Sequence, residues 1–325
     1  MNVEPSIRKS PSQIVLGASI GLVILIWALN FIAAKIGLRS LPAMTLASFR
    51  VVLAAVVMLP VYHFCSRLPA FAGAFQARQR KWTIRDLWTF LYMGLFGVTM
   101  NQVCFTVGLR YTSVSHSAVI VGMGPIYTLI LAVLLRLEKA TWRKATGMMI
   151  AFAGIAVMAS EKGISAHSPS VLGDAITMIG SIGFAMYVVL GKRLAGRYDA
   201  LTMTAFSHYG GALIVLPVAI YRAATFGPAA HWRAIPWAGW AAMLYMAIFS
   251  SAVAYVFYFW LLGYLEASQL AAFTYLLPVV ATILGIIILG ENGSWGQVLG
   301  GVLALSGVYW IESVRDSVAR ISEPS

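Results

Sequence analysis

Apolar residues run in stretches of about 20, broken by short polar connectors, from residue 14 almost to the end of the chain. A helix needs about 20 apolar residues to cross the hydrocarbon of a bilayer. Ten such stretches can be read: Ile14–Leu38, Ala43–Phe64, Leu87–Leu109, Ser115–Leu135, Trp142–Ala159, Gly173–Leu194, Leu201–Tyr221, Trp237–Leu261, Gln269–Leu289 and Trp295–Val314. Only the connectors Cys65–Asp86 and Arg222–Pro236 are long, and none is large enough for a soluble domain. The pattern predicts an all-α membrane protein of ten transmembrane helices.

A second pattern lies on top of the first. Sliding Gly94–Val157 by 153 positions lays it on Ala247–Trp310 without a gap, and 14 of the 64 aligned positions are identical. Shared apolar bias alone would give about a tenth. The matches include Tyr111 with Tyr264, Ser115 with Ser268, Pro125 with Pro278, Glu138 with Glu291, Trp142 with Trp295, Gly147 with Gly300 and Gly154 with Gly307. Greasiness does not supply Pro, Gly, Trp and Glu. The front parts align at an offset of 157, where Lys35 meets Lys192, Phe49 meets Phe206 and Leu59-Pro60 meets Leu216-Pro217. The expected organisation is a tail (1–13), a five-helix repeat (14–160), a second (173–314) and a closing tail (315–325).

Composition agrees that lipid is the solvent. The chain is 60% hydrophobic and 10% charged, against about 25% charged in soluble proteins. The net charge of +12 does not point to nucleic acid, because the basic residues are scattered over short loops. With the N-terminus inside, inner segments hold 16 Lys and Arg and outer segments 5, with Lys35 and Arg50 left within spans. Positive loops stay in the cytoplasm, so both termini are expected there. Five spans per repeat is odd, so the second repeat must enter from the opposite face. Inverted repeats of this kind belong to transporters, whose substrate sits between the halves. Cys65 and Cys104 lie at a span end and inside a span, which suits packing and not a disulfide framework.

At this point the residues resemble a known family. Trp27-Ala28-Leu29-Asn30-Phe31 followed by Lys35 is similar to the first-span signature of the EamA type of the drug/metabolite transporter superfamily. Ser117-Ala118, Gly124-Pro125-Ile126-Tyr127-Thr128, Glu138, Gly147 and Gly154 resemble its fourth and fifth spans. Ala271-Ala272, Pro278-Val279, Gly290-Glu291, Gly300 and Gly307 repeat the pattern. The chain departs from it with Tyr187 where the first half has Asn30, and with Arg136-Leu137 before Glu138. The resemblance implies a ten-helix permease of the inner (plasma) membrane, with inverted five-helix repeats, exporting amino acids or related small metabolites.

Candidate chemistry is sparse. Arg50 falls about 8 residues into its span, or about 12 Å at 1.5 Å per residue, near the midplane of a bilayer core. A guanidinium there costs at least about 2.5–3.5 kcal/mol, so it should face the bundle interior, either to bind a substrate carboxylate or to tie helices together. Trp27, Asn30, Phe31 and Ala34 share one helical face. Asn30 and Asn101, with Gln102 beside it, need partners inside the membrane, from neighbouring helices or from a substrate. Tyr187, Tyr255 and Tyr275 lie too deep for an interfacial belt and are expected to line a cavity that binds an apolar side chain and attracts an ammonium by its ring faces. Lys35 and Lys192 read as interfacial anchors. Pro125 and Pro278 are expected to kink their helices at matched positions, as hinge or gate elements. His116 and His208 are the residues that could carry a proton, or else be neutral core histidines. The glycines at seven-residue spacing on the fifth and tenth helices suit close packing between the halves, and would also suit a weak homodimer.

Absences narrow the reading. All 11 acids fall in tails, loops or span ends, so coupling through a buried carboxylate is disfavoured. No Cys/His cluster suggests a metal and no P-loop suggests ATP, so neither cofactor nor catalysis is expected. The expected partners are a small-molecule substrate and the lipid bilayer. Two other readings stay open: a carrier for drug-like cations or nucleotide-like metabolites, and a non-transporting membrane enzyme or assembly subunit.

Overall fold

The computed structural model describes residues 11–67, 82–111, 117, 120–161, 171–195, 197–227, 229–289 and 295–321. Outside their connectors they are helical. We number ten helices: α1 (Gln13–Ser40), α2 (Ala43–Cys65), α3 (Ile84–Tyr111), α4 (Ile120–Leu134), α5 (Trp142–Glu161), α6 (Val171–Leu194), α7 (Ala200–Thr225), α8 (Trp237–Leu262), α9 (Ala267–Leu289) and α10 (Trp295–Ile321). Among the described residues α1, α2, α3, α6, α7 and α8 are long and apolar enough to cross a membrane, and α4, α9 and α10 supply shorter apolar helices. The connector after α7 holds one short extra helix, Ala229–Arg233.

Local chemistry fixes several of the ends. Ser12 Oγ accepts the Val15 N–H at 3.3 Å to start α1. Thr83 and Asp86 form a reciprocal capping box at α3, and Asp199 accepts the Thr202 N–H at 3.0 Å at α7; each answers a backbone donor left open in the first turn. Within helices, Ser48, Thr106, Thr128 and Thr204 return their hydroxyls to a carbonyl one turn back, so polar side chains can sit inside the bundle without orphaned groups. Large apolar side chains meanwhile point outward, among them Leu59, Ile130, Leu213 and Leu299. That inside-out distribution fits a lipid surround.

Two stretches depart from α-geometry. Gly94–Val103 in α3 and Met246–Val253 in α8 are wound as π-helix, and the offset of 153 places one on the other. The α3 turn lies where the chain is thinnest. A Cβ on Gly94 would come within 2.3 Å of the Gly211 backbone nitrogen, and one on Gly97 within 2.0 Å of the Tyr187 ring. Wide turns of this kind concentrate at functional sites.

Helix packing repeats across the two halves. The α3 contact with α6 is matched by α8 with α1, α4 with α6 by α9 with α1, and α3 with α7 by α8 with α2. The most extensive contact joins α5 to α10, the last helix of each half. Gly147 meets Gly307 there and Gly154 meets Gly300, so the two helices cross antiparallel. Because Gly147 corresponds to Gly300 and Gly154 to Gly307, the contact maps onto itself when the halves are exchanged. Helices α2 and α7 behave likewise: Arg222 Nε donates to Thr45 Oγ1 at 3.2 Å, and Tyr62 and Thr202 share a hydrogen bond of 3.5 Å at the other end.

The glycine face is therefore used within the chain. A Cβ on Gly154 would stand 2.5 Å from both the Gly300 oxygen and the Ala304 nitrogen, backbone atoms that cannot swing aside. Gly154→Ala should cost about 1–3 kcal/mol of stability, the usual range for overpacking. Gly17→Ala, where nothing lies within 4 Å, should be neutral. Thermal unfolding in detergent compares the two.

Candidate functional site

Between the halves lies a cavity of about 810 Å³, its open mouth included, with walls from α1, α2, α3, α4, α6, α8 and α9. Its lining contains repeat equivalents: Trp27 and Phe184, Gln102 and Tyr255, Val121 and Thr274, Gly124 and Leu277. Among the described residues Arg50 is the charged one in the wall, and no Asp or Glu accompanies it there. The arginine is 3% exposed. Its Nη2 donates to Ser251 Oγ at 3.2 Å, and Ser251 Oγ stands 3.0 Å from Gln102 Oε1 and 2.8 Å from the Met246 carbonyl, its one proton serving both acceptors. Gln102 and Ser251 both belong to the paired π-turns, so those turns hold the arginine in place.

Hydrogen-bonding capacity separates the wall residues. Asn101 is engaged at both ends of its amide: Nδ2 donates to the Gly180 carbonyl at 3.3 Å and Oδ1 accepts from the Tyr255 hydroxyl at 3.2 Å. It ties α3 to α6 and α8. Trp27 Nε1 donates to the Ser250 carbonyl at 3.1 Å. Three buried atoms of the wall, by contrast, have no hydrogen-bond partner among the described residues: Arg50 Nε, Gln102 Nε2 and Asn30 Oδ1. Buried polar groups are nearly always paired, and unpaired ones cost about 1–3 kcal/mol each. Three together in one wall leave hydrogen-bonding capacity there that the described residues do not use.

The apolar share of the site is aromatic. Trp27 packs on Phe184, Tyr255 and Tyr258 with ring centres 5.6, 5.7 and 5.2 Å apart, and Phe31 meets Phe105 at 5.3 Å. The first cluster lies between the cavity and the molecular end formed by the α4–α5 and α8–α9 connectors.

That end is drawn shut by polar contacts. Glu138, in the α4–α5 connector, accepts the Ser268 backbone N–H at 3.1 Å, accepts the Ser268 hydroxyl, and pairs with Lys144 at 3.0 Å. Lys144 also pairs with Glu266. A carboxylate thus caps the first turn of α9, the position where a helix favours negative charge. Burial alone would raise the Glu138 carboxyl, but the Ser268 and Lys144 bonds outweigh it and hold the group below its ordinary value. Lys192 Nζ donates to the Leu262 and Leu265 carbonyls at 3.0 and 2.6 Å. It caps the end of α8 and is more than the interfacial anchor expected, whereas Lys35 is exposed. Nearby, Asp86 accepts from Arg197 Nη2 at 2.8 Å and from the Tyr198 hydroxyl.

Of the residues singled out from sequence, Trp27, Asn30, Arg50, Asn101, Tyr255 and Pro125 all line the cavity. Tyr187 and Tyr275 do not. Tyr187 is fully buried behind the wall, against Gly97, with its hydroxyl 2.7 Å from Ser207. Tyr275 packs among Leu129, Met148, Ile155 and Ile311. The prolines also differ from expectation. Pro125 stands in the first turn of the segment that follows a break at Met123. Pro278 follows a 3-10 turn over Phe273–Tyr275. Each sits early in a new helical segment, where a missing N–H costs little, and not in the middle of an unbroken helix. His208 is buried with Nδ1 on the Thr204 carbonyl at 2.8 Å and its ring edge-on to Tyr255; its Nε2 has no partner. His116 and Glu291 lie outside the described residues. Sequence reasoning missed Phe184, Ser250, Ser251 and Thr274, and left Gln102 as a side remark; the offsets of 157 and 153 applied to Trp27 and Tyr255 would have found Phe184 and Gln102.

Comparison with known proteins gives this architecture a family. The EamA-like transporter family model matches residues 16–160 and again 171–313. The chain belongs to the EamA-like transporter family, a family of drug/metabolite transporters and not of enzymes. Among curated relatives it is 26% identical over 295 residues to an uncharacterized transporter of Archaeoglobus fulgidus, covering 89% of this chain and 94% of that one. It is 29% identical over 264 residues to the uncharacterized transporter YyaM of Bacillus subtilis, covering 81% and 82%. A Streptantibioticus cattleyicolor protein named probable terminal-alkyne amino-acid exporter is 25% identical over 304 residues, covering 94% and 95%. A crystal structure of a protein aligns with TM-score 0.70 at 16% identity, over 96% of this chain and 100% of that one. That likeness speaks for the fold.

Proposed function

We propose that this multi-pass transporter is an alternating-access exporter of the inner (plasma) membrane for small amphiphilic metabolites bearing a carboxylate, amino acids and related compounds foremost. It has ten transmembrane helices in two inverted five-helix halves, with both termini in the cytoplasm. Inversion is supported by the antiparallel self-pairing of α5 and α10, since a two-fold axis relating antiparallel helices lies across them and turns one half over. Orientation is supported by the 16-to-5 bias of Lys and Arg. The polar closure at Glu138, Lys144, Ser268 and Lys192 then lies on the cytoplasmic side and the cavity toward the outer side, which is an outward-facing arrangement. Paired breaks before Pro125 and Pro278 are the flexible points that would let α4 and α9 rearrange.

The observation that carries the substrate class is a single buried cation with unused donors in an aromatic-walled cavity that lacks acid. A carboxylate would take the Arg50 Nε and Gln102 Nε2 donors as charge-assisted hydrogen bonds, and an apolar side chain would lie against Trp27, Phe184 and Tyr255. The relative named probable terminal-alkyne amino-acid exporter supports the same class. Drug-like cations would meet Arg50 with nothing to offset it. Proteoliposomes loaded with a panel of radiolabelled amino acids, with and without a pH gradient, test the reading. Saturable efflux of at least one carboxylate is expected. Movement of a quaternary ammonium compound with no carboxylate moving would overturn it.

A further inference from the structure

The charge balance of the cavity points to a narrower substrate class than amino acids at large. We propose that the site takes net-anionic monocarboxylates bearing a neutral hydrogen-bond donor, such as hydroxy acids or N-acylated amino acids, in preference to zwitterionic amino acids. The inference rests on the reading of this cavity as the substrate site. Arg50 and Gln102 are joined through Ser251, so their unused donors, Nε and Nε2, belong to one corner of the wall and together suit one carboxylate. Neutralising that corner uses a single negative charge. A zwitterion brings its own cation as well, and the complex would stay net positive in a low-dielectric cavity where charge is weakly screened.

An ammonium group would also lack a partner of opposite sign, with only aromatic ring faces to attract it. Among the described residues the lining contains no Asp or Glu. Asp174 is the acid nearest along the chain, one turn from Thr177 at the start of α6, and is already engaged. Several other acceptors in the wall already hold one donor each: Asn101 Oδ1 from Tyr255, the Gly180 carbonyl from Asn101 and the Ser250 carbonyl from Trp27. The buried side-chain oxygen of the lining with no hydrogen-bond partner among the described residues is Asn30 Oδ1. A neutral amide oxygen of that kind matches a hydroxyl or amide N–H and does not repay the desolvation of an ammonium. Two donors for a carboxylate and one acceptor for a neutral donor make up the code.

Four compounds sharing one phenyl group test it: 3-phenyllactate, N-acetylphenylalanine, phenylalanine and phenethylamine, each titrated calorimetrically at pH 7.4 into the full chain in lipid nanodiscs. Binding of 3-phenyllactate or N-acetylphenylalanine at least tenfold tighter than phenylalanine is expected, with phenethylamine not bound. Asn30→Asp should reverse the order by giving the ammonium a partner, and Arg50→Gln should weaken binding of both anions about 10–100-fold. Phenylalanine binding as tightly as the two anions, or more tightly, overturns the preference and leaves the carboxylate reading standing. Phenethylamine binding best, or none of the four binding, overturns both.

Discussion

Arg50→Ala is expected to weaken substrate binding about 10–100-fold, the equivalent of losing a charge-assisted hydrogen bond worth about 1.5–3 kcal/mol, while the protein stays folded. Stability should hold or rise, because a guanidinium 3% exposed in mid-membrane carries a desolvation cost of at least about 2.5–3.5 kcal/mol. A purely structural arginine gives the opposite pattern. If Arg50 only ties α2 to α8 through Ser251, then Ser251→Ala should reproduce Arg50→Ala, thermal stability should fall in both, and affinity should not change. Arg50→Lys separates charge from shape: an ammonium keeps the charge but loses the planar fork, so partial binding is expected. Thermal unfolding and ligand titration on the three variants read out both quantities.

Glu138→Ala is expected to destabilise the protein by about 2–3 kcal/mol. Removing one partner of a buried pair costs about 3–5 kcal/mol, and Lys144 keeps Glu266 as a second partner, which lowers the figure. The Glu138 side chain is 3% exposed, so its loss uncaps α9 in a place water barely reaches. Glu138→Gln retains the shape and an acceptor for Ser268 but not the charge, and should fall between. The pH dependence follows from the lowered carboxyl. A group whose folded value is depressed contributes stability above its unfolded value and loses it as pH falls through the folded one. The stability difference between the native chain and Glu138→Gln should therefore be full at neutral pH and shrink on acidification below the ordinary carboxylate range. A difference constant with pH would contradict the assignment. On the transport cycle, the same variants should raise thiol labelling from the cytoplasmic side at a cysteine placed at Leu270, beneath the aromatic cluster.

Helix positions were legible because lipid leaves one demand that apolar length satisfies alone; α2, α5, α8 and α10 start, and α6 and α9 end, where the pattern puts them, while the other described ends move by a few residues, with α10 running on to Ile321. The face Trp27, Asn30, Phe31 was legible because three- and four-residue spacing fixes rotation about a helix axis, and it does line the cavity. Depth along a helix carries no such information. Tyr187 and Tyr275 are as deep as Tyr255, yet they point into tight seams, Tyr187 against Gly97 and Tyr275 among α4, α5 and α10. The π-turns were invisible, since one extra residue per turn has no compositional mark; only Gly94 and Gly97, where the α3 backbone passes closest to its neighbours, hint at it. The closure at Glu138 was half visible. The duplicated Glu and Ser stood out as pairs, but nothing along the chain says that Glu138 reaches Ser268 of the other half.

Sidedness of equivalent loops tests the inverted architecture most directly. Lys139 and Asn292 occupy the same place in the two repeats. With Cys65 and Cys104 replaced by alanine, single cysteines at 139 and 292 should react differently with a membrane-impermeant maleimide applied to intact cells. Labelling at 292 and protection at 139 is the predicted result; both labelled, or both protected until the membrane is opened, would contradict it.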